Sequence, residues 1–133
     1  MGLDEQQMKE ISPPDSQIFE SALEEINVFE NLVFTERKEL DDILIQKDSW
    51  DIYRVDFSQA FDPTPDLIPG QEIFRCSIKL FKSLQELSAK MIEVRLKLYL
   101  NEEEISALLK RKDLITKRIQ ELIAKRGKEA VLF

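Results

Sequence analysis

The sequence predicts an all-α protein: an elongated antiparallel helical hairpin of coiled-coil character, or a three-helix bundle should the second arm break near Asn101. Three observations predict it. Pro and Gly are scarce outside one stretch, apolar residues recur every three or four positions on both sides of it, and charge changes sign across it. The stretch is "FDPTPDLIPGQEIF" (61–74), which holds Pro63, Pro65, Pro69 and Gly70; elsewhere there are Pro13, Pro14, Gly2 and Gly127. That leaves 48 residues between Pro14 and Pro63, and 56 between Gly70 and Gly127, free of both. A Gly or Pro inside a helix costs about 1 or 3 kcal/mol respectively, so such intervals suit sustained helices.

Residues 1–14 are polar, contain "ISPP" and read as a flexible N-terminal segment. Their acidic start has neither the charge nor the apolar run of a secretory signal, and the sixth residue lacks the hydroxyl of a myristoylation site. A single hairpin domain is expected over 15–126. In its first arm, steps of three and four visit Phe19, Ala22, Ile26, Phe29, Val33, Glu36, Leu40, Ile43, Lys47, Trp50, Arg54, Phe57 and Phe61, ten of the thirteen apolar. Within "KDSWDIYRVDF", Asp48 and Ser49 could cap a new helix, and Ile52, Tyr53, Val55 and Phe57 have strand character. The apolar phase favours a helix continuing through it.

The bend follows at 62–70, with Phe61, Leu67, Ile68 and Phe74 closing the end of the bundle. Beyond it the phase visits Leu80, Leu84, Leu87, Met91, Val94, Leu98, Asn101, Ile105, Leu108, Lys112, Ile115, Ile119 and Leu122, eleven of the thirteen apolar. That is a coiled-coil seam with Asn101 and Lys112 as polar intruders. "NEEE" (101–104) also reads as a helix start, with Asn101 as N-cap and Glu104 completing a capping box. The unbroken phase favours one helix, roughly 84 Å long at 1.5 Å per residue.

Residues 1–70 hold 17 acids and 5 bases, and residues 71–133 hold 9 and 14, which sum to the net charge of −7. An acidic and a basic arm joined by a bend suit antiparallel pairing, with Glu20, Glu24 and Glu25 facing Lys110, Arg111 and Lys112. Such exposed pairs contribute about 0–1 kcal/mol each, enough to select a register. Gly127 can end the second arm and leave 127–133 as a short apolar tail.

Composition narrows the chemistry. The 133 residues are 43% hydrophobic and 34% charged, a size and balance suited to one helical domain. There is no His, so the usual neutral-pH base and the commonest metal ligand are absent. Cys76 is the only Cys, which forbids an intrachain disulfide or a thiolate cluster and reads as a small buried hydrophobe. Asp41-Asp42 and Glu102-Glu103-Glu104 follow no calcium-loop pattern. No catalytic residue, cofactor or metal is therefore expected. No apolar run reaches the roughly 20 residues of a bilayer span, and a cytoplasmic protein is expected. Lys110, Arg111, Lys112, Lys117 and Arg118 have no interleaved aromatics in an acidic chain, so they read as a helix face rather than a nucleic-acid site.

Apolar residues exceed what a two-helix seam buries, which points to a protein partner. The C-terminal helix, whose end "IQELIAKRGKEAVLF" (119–133) should overhang the paired region, makes Leu108, Leu109, Ile115, Ile119, Leu122, Ile123, Val131, Leu132 and Phe133 the candidate docking residues. The segment "FENLVFTERKELDDILIQKDSWDIYRV" (29–55) resembles the long first helix of the small flagellar and type III export chaperones, the FlgN-like group. That resemblance implies a cytoplasmic chaperone or adaptor that shields a client's amphipathic helix by helix-in-groove packing. A structural coiled-coil subunit, as homodimer or scaffold member, is the alternative. "EEEISALLKRKDLITKRIQELIAKRG" (102–127) is similar to the first helix of the all-helical chorismate mutases, which would imply an enzyme instead.

Overall fold

A computed structural model describes residues 15–36, 43–57 and 59–133; the segment 1–14, read above as flexible, lies outside them. Asp15 opens the first helix, α1 (Ser16–Val33), accepting from the amides of Gln17 and Ile18 at 3.0 and 3.1 Å. Such a cap is worth ~1 kcal/mol. The helix stops where Phe34 turns left-handed (φ 52°), and the Phe34 and Thr35 amides return to the Glu30 carbonyl.

The first arm does not continue as a helix. Strands β1 (Ile43–Ile45) and β2 (Ile52–Arg54) form an antiparallel pair, with Ile43 opposite Arg54, Leu44 opposite Tyr53 and Ile45 opposite Ile52. Ile43 and Ile45 are buried while Leu44 between them is exposed, a period of two. The two isoleucines pack with Phe19, Leu23, Trp50 and Ile52 against α1. Trp50 meets Phe19 edge-on at 5.7 Å. β-branched residues fit a pleated, half-buried surface, and each fully buried Ile contributes about 2 kcal/mol. Asp48 and Ser49 sit in the turn, where the Ser49 hydroxyl donates to the Asp51 carboxylate.

Residues 62–75 are not the tip of a hairpin. They run as an irregular strap along α1 and the long C-terminal helix. Asn31 accepts from the Ile68 amide at 2.9 Å and donates to the Gln71 carbonyl at 3.0 Å. Ile68 and Ile73 are buried, and Phe74 is about half exposed.

The second arm breaks twice. Ser77 caps α2 (Ile78–Glu86) and Ser88 caps α3 (Ala89–Leu96), each accepting from the amide three residues on. A turn over 97–100 then leads to α4 (Glu102–Arg126). The Asn101 and Glu104 side chains exchange hydrogen bonds with each other's amides at 2.8 and 2.9 Å, the full capping box. Gly127 (φ 85°) ends α4, and α5 (Lys128–Val131) follows it. The last residues pair in parallel with 76–78: Cys76 donates to Val131, Phe133 to Cys76 and Ile78 to Phe133.

Among the described residues there are thus five helices and a two-stranded sheet, not the coiled-coil hairpin or the three-helix bundle expected from the sequence. The physical reason is burial. One continuous seam would cover a single stripe, whereas broken helices lay several stripes on α4, against which α1, α2, α3 and α5 all pack. The main core joins Val28, Ile73, Cys76, Phe81, Leu84, Ile115, Ile119, Leu122 and Val131. The expected charge register also fails. Glu24 pairs with Arg75 at 3.2 Å and Glu25 accepts from Ser77, while Arg111 is buried.

Candidate interaction surface

The nine residues marked by the sequence as a docking face lie inward. Leu108, Ile115, Ile119, Leu122 and Val131 are buried, and Leu109, Ile123, Leu132 and Phe133 are half-buried. Leu109 backs the cluster under α3, and Ile123 and Leu132 back the main core. Phe133 lies beneath the Arg75 guanidinium at 4.6 Å. The tail that was expected to overhang is instead held by its backbone.

Two buried arginines organise the polar interior. Arg111 Nε donates to the Leu32 carbonyl at 3.0 Å, and its Nη1 to those of Asp62 and Thr64 at 2.8 and 2.6 Å. One side chain on α4 therefore satisfies an end carbonyl of α1 and anchors the strap. Burial pushes its pKa below the ordinary value, and the nearby Asp62 charge opposes that. Hydrogen bonds from the Thr64 side chain and amide hold the Asp62 carboxyl below its ordinary range. Arg54 ties β2 to α1 by an ion pair with Glu30. These groups bond protein carbonyls and carboxylates; they brace the fold.

Among the apolar residues the fold leaves exposed, which include Ile18, Phe74 and Ile78, one set lies along α3 and the turn after it. Ser88 fixes the start of this helix, and Ile92, buried against Ile105 and Leu108, fixes its rotation. At 100° per residue, Met91, Val94 and Leu98 then share the opposite face. They are 47%, 61% and 83% exposed, and Tyr99 beside them is 79% exposed. The chain keeps helical hydrogen bonding past the end of α3, with Leu100 N–H returning to Leu96, so Leu98 extends the same stripe. Lys90, Arg95 and Lys97 border it and are exposed. Sequence reasoning assigned Met91, Val94 and Leu98 to the buried seam. Ile92 and Leu96 are also apolar, so α3 offers two apolar faces and no local signal says which turns inward.

A second, smaller feature lies beside α1. A groove of about 220 Å³ is lined by Ile18, Phe19, Ala22, Trp50 and Ile52, with Asp15 and Asp51 at its rim. Among the described residues no helix is long and apolar enough to cross a membrane. No group of three or more His, Cys, Asp or Glu is placed among them to hold a metal ion.

Comparison with known protein families, with curated proteins and with solved structures finds no match. The flagellar and type III association drawn from segment 29–55 finds no support there, and within that segment the first helix ends at Val33.

Proposed function

We propose that this protein is a non-catalytic binding module that receives an amphipathic helix of a protein partner on the outer face of α3. One observation carries the reading. Met91 and Val94 on α3, with Leu98 in the turn that follows it, form an exposed apolar set beside a helix whose other side is already committed to the core. Isolated exposed apolar residues are ordinary, but an aligned set with an aromatic neighbour is the composition of an interface centre. The stripe has the i, i+3, i+7 spacing that lets two helices pack face to face.

Nuclear magnetic resonance tests this directly. On titration with an amphipathic helical peptide, amide shifts are expected to cluster over 88–100 and to vanish in Leu98→Asp. Shifts that map elsewhere, or that survive the substitution, would overturn the reading. Leu98 contacts little of the fold, so the variant should unfold at the wild-type temperature.

A further inference from the structure

Taking the docking role of α3 as its basis, we infer that the helix it receives is acidic along the edges of its apolar face. The inference comes from what borders the stripe. On a wheel of 100° per residue, Met91, Val94 and Leu98 fall within about 60° of one another. Lys90 and Lys97 fall on one edge and Arg95 on the other, while Glu93 lies further round, beyond the lysines. All three bases are exposed, and no ion pair among the described residues engages them. An apolar band between two cationic edges is complementary to an apolar band between two anionic ones.

The same charges argue against other occupants. A second copy docking by this face would set like-charged edges against each other, which disfavours self-pairing. An anionic membrane would meet the whole molecule rather than the stripe alone. The chain carries a net charge of −7, and Glu102 and Glu103 stand exposed directly after the turn that carries Leu98 and Tyr99. A planar anionic surface would therefore be repelled where a narrow peptide is not.

Two synthetic helices test the inference by fluorescence anisotropy with the full chain. Both carry the same leucine stripe; one is flanked by Glu and the other by Lys. The Glu-flanked peptide should bind about tenfold more tightly at low salt, since three partly exposed charge pairs are worth that much together. Added salt should narrow the gap. The triple variant Lys90→Glu, Arg95→Glu, Lys97→Glu should invert the preference, and Leu98→Asp should weaken both peptides.

Equal affinities that are both lost in Leu98→Asp would remove the acidic preference while keeping the docking role. Affinities indifferent to Leu98→Asp would remove the docking role itself. Two controls decide the alternatives. Binding to phosphatidylserine-containing vesicles that the triple variant abolishes would make the occupant a membrane. A dimer by light scattering that Leu98→Asp dissolves would make it a second copy. Either result overturns the inference.

Discussion

Arg54 Nε lies 2.7 Å from Glu30 Oε2, with the two side chains 4% and 0% exposed. The contact joins the end of β2 to the last turns of α1, and Arg54 also donates to the Val55 and Asp56 carbonyls. Its guanidinium stands 5.0 Å from the Phe57 ring, which itself meets Phe29 edge-on. Removing either partner takes this ion pair from a buried site. Glu30→Ala or Arg54→Ala should each cost about 3–5 kcal/mol by urea unfolding. The double replacement Glu30→Leu, Arg54→Met should lose less than either single change, because no charge is then left unpaired.

Arg111 should prove as sensitive. Arg111→Met leaves the carbonyls of Leu32, Asp62 and Thr64 without their donor. A loss of about 3 kcal/mol or more is expected in urea unfolding. Hydrogen exchange should accelerate at the Ile68 amide, whose strap has been released. Arg111→Lys should recover only part of the loss, since an ammonium cannot span the three carbonyls as a guanidinium fork does.

Asn101 separates the two readings of the second arm. In a coiled-coil seam, replacing it with Leu would raise stability. As the N-cap of α4 it accepts from Glu104, so Asn101→Leu should instead destabilise by ~1 kcal/mol, with Asn101→Asp nearly neutral. Thermal unfolding followed by circular dichroism checks the sign.

Cys76 should be inert in the native protein. Burial first, and then the Glu25 charge, push its thiol from an ordinary 9.0 up to about 12. A disulfide reagent at neutral pH should label it only across the unfolding transition, since the thiolate is the reacting form. The linkage sign follows from the raised value. Between pH 9.0 and about 12 the unfolded chain has released the proton and the folded chain has not. This group's contribution is therefore whole below 9.0 and falls as pH rises through that window.

Local signals were legible where one residue type suffices. The "NEEE" capping box, the helix stop at Gly127, the strand character of Ile52 and Tyr53 and the burial of Cys76 all follow from side-chain chemistry over a few positions. The caps at Ser77 and Ser88 were equally available, yet the unbroken apolar phase concealed them. A heptad phase records that apolar residues recur; it does not require one helix, because short helices with polar caps can keep the same phase. Past Val33 the phase misled for a related reason. A buried strand and a helical seam both supply an isoleucine at Ile43, and only Ile45, two residues on, separates them.

By itself, then, the sequence determined a helix-rich chain, the stop of α4 at Gly127, and an excess of apolar side chains beyond what one seam could cover; the start of α4 at Asn101 it offered only as the alternative to an unbroken helix. Tertiary structure alone decided which of them would be covered. The tail from Val131 to Phe133 could have stood free, but its backbone found Cys76 and Ile78 as partners. Met91, Val94 and Leu98 could have been core, but Ile92 took the contact with Ile105 and Leu108. Apolar burial is non-directional and proportional to area, so it names faces without naming their partners; the choice was made by which packing satisfied the most surface and the most backbone at once.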